Sequence, residues 1–258
     1  MGVALVGSLA VLGAAAVALG SSEGTPSGSA PSMQARSVPS EAAEQVAENP
    51  APVPPAGTPP QSGAPQSTPS GTVTPTGTFT AAAANGPAVG KGTIRRYKVE
   101  VEEGIGIEPQ TAATEVQAIL ADKRGWTTDR RNGFQLVADG TFDFTVRIAS
   151  PETVDRICAS GGLDTKGEVN CDVGRQVMVN SKRWQTGSPQ FSGPIEEYRA
   201  LIINHEVGHR IGHGHEACPG PGKPAPAMMQ QIYGLNGCTP NAWPYTADGS
   251  YISGPSIP

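Results

Sequence analysis

An α+β domain is the fold class this sequence predicts, and three observations predict it. Between residues 93 and 211, segments of alternating apolar and polar residues are interleaved with segments whose apolar residues recur every three to four positions. The strand-like segments are short and bounded by turn residues. From Pro219 onward the composition turns to Pro, Gly and Asn, so the portion after it is irregular.

Residues 93–101 (TIRRYKVEV) place Ile94, Tyr97, Val99 and Val101 in alternation, which predicts a strand. Pro109 suits a first helical position and opens a helix through Ala121, with Ala112, Val116, Ile119 and Leu120 on one side. Residues 134–137 and 142–148 predict two strands, and Asp139-Gly140 between them predicts a hairpin turn. Residues 151–157 read as a short helix and residues 176–180 (QVMVN) as the last strand. A longer helix starts with Pro194 at its first position and Gly193 or Ser192 as its cap, with Glu196 and Glu197 at the positive end of the dipole. It runs to Ile211 and stops at Gly212.

Ahead of these elements the chain reads differently. Residues 1–20 are almost wholly apolar and uncharged, a length between a signal-peptide core and a short membrane span, and are expected to be a signal peptide or a membrane anchor. No basic residue precedes Arg36, so the positive flank of a signal peptide is missing. Residues 21–89 hold 13 of the 25 prolines, and Phe79 is the first aromatic residue. Such a stretch buries too little apolar surface to offset its ordering entropy. Residues 21–85 therefore predict a disordered Pro/Ser/Gly/Thr/Ala-rich linker, a spacer between membrane or wall and the domain. Residues 86–258 predict the folded domain, roughly 170 residues, long enough for one real core.

A formal net charge of −5 leaves no basic footprint, so nucleic acid is excluded as the expected partner. Cys158, Cys171, Cys218 and Cys238 all fall in the domain, and an even number suits two disulfides in an oxidising compartment. Three pairings are open, of which the local one closes two short loops. With no C-x-x-C pair, a cysteine metal site is the weaker reading.

All four histidines lie within residues 205–215, His-Glu-Val-Gly-His-Arg-Ile-Gly-His-Gly-His. His205 and His209, four apart on a helix, point the same way and can grip one ion. Glu206 lies beside them, placed to take a proton from a water. A third ligand cannot come from the same straight helix, so the chain must turn, and Gly212 permits the left-handed conformation the turn requires. His215 then completes three protein ligands and leaves a fourth position open, the arrangement of a catalytic rather than a structural zinc. His213 is off this spacing and is expected to be a solvent-exposed neighbour.

The pattern H-E-x-x-H-x-x-G-x-x-H resembles the signature of the metzincin zinc peptidases. The resemblance implies a zincin-like domain with a small mixed sheet, an active-site helix and an irregular disulfide-stapled C-terminal part. It also implies a methionine on a tight turn beneath the metal, for which Met229, with Met228 next to it, is the candidate. The stretch from His205 through Met228-Met229-Gln230 to Cys238, ending in Asn-Ala-Trp-Pro-Tyr, is similar to a domain family of unknown function found in exported actinobacterial proteins. In metzincins the substrate lies extended along an edge strand, a place that residues 176–180 or 145–148 would fill. Glu216 follows the third histidine as in the astacin group, where that residue anchors a processed N-terminus, but the long linker speaks against that role here. Tyr233 and Tyr245 are candidates for an assisting hydroxyl.

Chemistry and resemblance together lead to the expectation of a secreted or surface-tethered, monomeric zinc peptidase acting on protein or peptide with one catalytic Zn2+. Two other classes stay open: a non-catalytic zinc-stabilised binding module at the cell envelope, and a zinc amidase acting on cell-wall peptides.

Overall fold

The computed structural model describes residues 76–257, and a seven-stranded mixed sheet runs through them. Its strands are β1 (Phe79–Ala81), β2 (Val89–Gly90), β3 (Thr93–Glu102), β4 (Asn132–Leu136), β5 (Phe144–Ala149), β6 (Cys171–Val173) and β7 (Gln176–Asn180). They lie in the order β2-β4-β3-β5-β7-β6, with β1 also on β3. The pairs β3–β4, β3–β5 and β5–β7 are parallel; β1–β3, β2–β4 and β6–β7 are antiparallel. Four helices accompany them: α1 (Pro109–Ala121), α2 (Pro151–Ala159), α3 (Ser181–Thr186) and α4 (Ile195–Arg210). The molecule is therefore α+β, as the interleaved patterns predict.

The hairpin expected at Asp139-Gly140 does not form. Tyr97 of β3 pairs with Leu136 on one side and with Phe144 on the other, and both neighbours run parallel to it. β4 covers the first half of β3; the chain then crosses at Tyr97 and continues as β5 along the second half. Val137 N–H donates to the Tyr97 carbonyl and Asp143 N–H to the Arg96 carbonyl, so the crossing is pinned at both ends. Asp139-Gly140 still turns the chain, but β3 has displaced the local partner that a turn signal assumes.

The domain also starts ahead of Gly86, within the stretch assigned to the linker. β1 pairs with the end of β3, and the Gly77 N–H donates to Glu102 Oε1 at 2.8 Å. Residues 1–20, the expected signal peptide or anchor, and residues 21–75 lie outside the described residues. Among the described residues no helix is long and apolar enough to cross a membrane.

Strand periodicity sorts the core. Val99 and Val101 of β3, Val146 and Ile148 of β5, and Val177 and Val179 of β7 face one side, where they pack with Val116 and Leu120 of α1 and Ile203 and Val207 of α4. Met178 and Ala149 face the other side and meet Val154 and Cys158 of α2. There Cys158 bonds to Cys171 of β6, and farther along Cys218 bonds to Cys238. The local pairing is thus the one adopted, and two disulfides suit an oxidising compartment. Each short loop is worth about 3 kcal/mol in the loop-closure account.

Because β7 sits between β5 and β6, and β5 between β3 and β7, neither is an edge. The edge on this side is β6, too short at three residues to show a pattern in the sequence.

Candidate metal centre

α4 carries the first part of the site. Pro194 is its N-cap rather than its first residue, and no side chain caps it, so neither Gly193 nor Ser192 has the expected role. Glu196 and Glu197 do occupy the first turn. The helix is fixed from outside as well as by packing: the Trp126 indole N–H donates to the Asn204 carbonyl at 2.8 Å, and Asn204 Nδ2 donates to the Ala242 carbonyl at 3.0 Å. Its last regular residue is Arg210, and Gly212 follows with φ +99°, a conformation that side-chain-bearing residues rarely adopt. The reversal brings His213 N–H onto the Gly208 carbonyl and returns His215 to the helix.

The three histidines converge on one point. His209 Nε2 lies 3.2 Å from His205 Nε2 and 3.2 Å from His215 Nε2. His205 Nδ1 donates to the Ala227 carbonyl and His209 Nδ1 to the His213 carbonyl, each at 2.9 Å. A carbonyl only accepts, so each of these Nδ1 atoms carries a proton, which leaves Nε2 of both rings as the atom available to a metal. Burial, reinforced by neighbouring His209, pushes His205 down to about 3, and the same two causes lower His215. Lone pairs facing each other repel. A cation between them converts that repulsion into coordination, and these three side chains are the cluster able to hold one among the described residues.

Glu206 sits one residue on, 5 % exposed, lining a cleft of about 420 Å³ that also takes in the three histidines. Burial first, and the charge of Asp172 second, raise its carboxyl well above the usual range. Tyr198, Leu201 and Ile202 of α4 and Val169, Met229 and Ile232 give the cleft apolar walls. Leu163 and Tyr233 stand at its rim, 43 % and 68 % exposed. β6 supplies Cys171 and Asp172 to the cleft. Arg210 reaches across, its Nε 2.9 Å from Asp172 Oδ1 and its Nη1 2.6 Å from the Gly174 carbonyl, tying the edge strand to the end of α4.

The structure brings together His205, Glu206, His209 and His215 as the spacing predicts, with Gly212 at the turn. The two methionines divide. Residues 226–229 form a turn closed by Met229 N–H on the Pro226 carbonyl, and Ala227 in that turn receives His205. Met228 is fully buried with its Sδ against Gly208 of α4, whereas Met229 lines the cleft. Tyr233 borders the cleft, while Tyr245 packs away from it in a cluster with Trp126 and Tyr251.

His213 is not the solvent-exposed neighbour expected. Its ring stacks on Trp126 with centroids 4.2 Å apart, and burial lowers its pKa. Glu216 binds residues of the same chain, accepting from the Tyr251 hydroxyl at 2.8 Å and the Gly254 N–H at 2.7 Å. Trp126, Asp172, Arg210 and the Ala227 carbonyl escaped the sequence reading. Arg210 adjoins His209, which marks it as near the site, but nothing local identifies its partners.

A family model described as a protein of unknown function (DUF3152) matches residues 65–240. No curated protein matches the chain, and no solved structure does.

Proposed function

The chain belongs to the DUF3152 family, whose function is unknown, so its chemistry is read from the site itself, and we propose that it is a zinc-dependent peptidase. One observation carries this reading: three imidazoles bring their Nε2 atoms together beside a buried glutamate that opens on a cleft. The 3.2 Å separations of His209 Nε2 from His205 Nε2 and His215 Nε2 suit zinc, since tetrahedral Zn–N bonds near 2.0–2.1 Å put nitrogens about 3.3 Å apart. A zinc ion held by His205, His209 and His215 would supply a water of lowered pKa and polarise the scissile carbonyl.

The remaining chemistry belongs to the chain. Glu206 makes no hydrogen bond among the described residues and is therefore free to take a proton from water and pass it to the leaving amine. The unpaired side of β6 lies along the cleft and would add an extended peptide as one more strand. The apolar walls beyond the histidines would receive a bulky apolar side chain next to the scissile bond. The helix, its reversal and the edge strand together support a zincin-like, metzincin-type fold. Its disulfides suit a secreted protein or one held at the cell surface through residues 1–20.

The test uses the purified full chain. About one zinc by elemental analysis, with chelator-sensitive cleavage of a casein-like substrate or a peptide library, is the expected result. Glu206→Gln should keep the zinc and lose turnover by about 100-fold or more. Zinc without cleavage of any peptide, cell-wall peptides included, would sink the peptidase reading, and a folded chain without zinc would sink the site.

A further inference from the structure

We infer that residues 251–257 form a strap that positions His215 and thereby sets the metal affinity of the site. The inference rests on the metal reading above and adds to it a part of the chain beyond residues 65–240 matched by the family model. The three ligands are not held alike. His205 and His209 stand on α4, and each has its Nδ1 fixed by a carbonyl. His215 stands beyond the helix, and its Nδ1 makes no hydrogen bond among the described residues. Its position is therefore set through its backbone.

That backbone is gripped by the strap on both sides of the ligand. The Ile257 N–H donates to the His215 carbonyl at 3.1 Å, and the Ala217 N–H donates to the Pro255 carbonyl at 2.8 Å. Between these bonds, Glu216 accepts from the Tyr251 hydroxyl and the Gly254 N–H. The opposite side of residue 216 is tied by its N–H to the Met228 carbonyl, 3.2 Å, so the ligand loop lies between the strap and the methionine turn. The approach is close: a Cβ on Gly254 would stand 1.9 Å from the Ala217 carbonyl oxygen and 3.0 Å from Pro226 Cγ. Any side chain there must lift the strap. Groups that orient a ligand from outside the coordination sphere commonly change metal affinity by about 10- to 100-fold when removed.

The experiment is a zinc titration of the full chain against a chromophoric chelator, repeated for Gly254→Ala, Glu216→Ala and Tyr251→Phe. Circular dichroism and a free-thiol count report that the fold and both disulfides are intact. We expect the zinc Kd to rise about ten-fold or more for Gly254→Ala and Glu216→Ala, and several-fold for Tyr251→Phe. The absorption spectrum of the cobalt(II)-saturated protein should change in the first two, because a displaced third ligand alters the ion's coordination; a purely structural strap would leave it unchanged. If Gly254→Ala fails to fold, Tyr251→Phe decides, since it removes a single oxygen. Unchanged Kd and cobalt spectra in the folded variants would overturn the strap while leaving the metal site standing. A parent chain that binds no zinc would overturn both.

Discussion

Two regions of the molecule meet at the histidines, and they are ordered by different means. Residues 93–210 contain most of the sheet and all four helices, and position His205 and His209 through a continuous apolar core. Residues 212–257 contain a single 3-10 turn, Gln231–Tyr233; Met228, Ala242 and Trp243 join the main core, and specific polar contacts shape the loops between them. Gln231 Nε2 donates to the Asn241 carbonyl at 2.7 Å, and Asn241 Nδ2 donates to the carbonyls of Ala225 and Trp243 at 2.8 Å each. The Cys218–Cys238 bond closes the same loops. The first region is held by many weak, non-directional contacts and the second by few directional ones. A site drawn from both inherits two modes of failure: cavities and buried charge on one side, lost hydrogen bonds on the other.

The adjacent methionines separate the two modes of failure most widely. Met228 belongs to the main core, in contact with α4, whereas Met229 belongs to a small cluster with Ala225 and Cys238. Met228→Ala should cost about 2–5 kcal/mol, the usual range for emptying a core site. Met229→Ala should cost clearly less and act mainly on peptide binding, because it removes a cleft wall. Denaturant titration of the two variants measures the difference. Equal losses would mean that the Met229 cluster is as much a part of the core as Met228.

A smaller effect is expected at Glu102, a charge buried inside the region otherwise held by apolar packing. It is 1 % exposed and ends β3. Burial pushes its carboxyl up. The N–H groups of Gly77 and Ser150 and the hydroxyls of Thr153 and Ser150 outweigh that and hold it below its usual 4.5. A carboxyl lowered in the folded state contributes stability that is present above its unfolded value and lost as pH falls through the folded one. The protein should therefore weaken on acidification below about pH 4.5, with part of that slope belonging to Glu102. Glu102→Gln should cost about 1–3 kcal/mol at neutral pH and flatten the acid limb of a stability-against-pH curve. An unchanged limb would show that other groups carry it.

What the sequence disclosed follows the same division. α1 was legible because helical spacing repeats over 13 residues, and α4 because its acidic first turn and the four-residue spacing of His205 and His209 mark it. β1, β2 and β6 hold three, two and three residues, too few for any period to show. The Asp139-Gly140 signal misled because turn chemistry reports on neighbours, whereas β4 and β5 are sorted by a strand some 40 residues earlier. Around the site, Glu216 finds its partners 35 and 38 residues later. No local rule reports such a pairing, nor which of two consecutive methionines faces the core.

The smallest expected effect lies where the two regions are tied across the cleft. Arg210 ends α4 one residue past His209, and its guanidinium forks onto the Asp172 carboxylate while Nη1 holds the Gly174 carbonyl. The pair is partly exposed, so its contribution to stability should stay below about 1 kcal/mol. Its geometry matters more. A planar fork fixes both the distance and the tilt of β6 over the cleft, and an ammonium with the same charge cannot bond Asp172 in that bidentate way. Arg210→Lys should therefore leave zinc binding and thermal stability nearly unchanged and raise KM for peptide several-fold, with kcat little affected. Steady-state kinetics beside a zinc titration would separate these quantities. An unaltered KM would mean that substrate does not lie along β6, whereas loss of zinc would mean that Arg210 supports His209 rather than the strand.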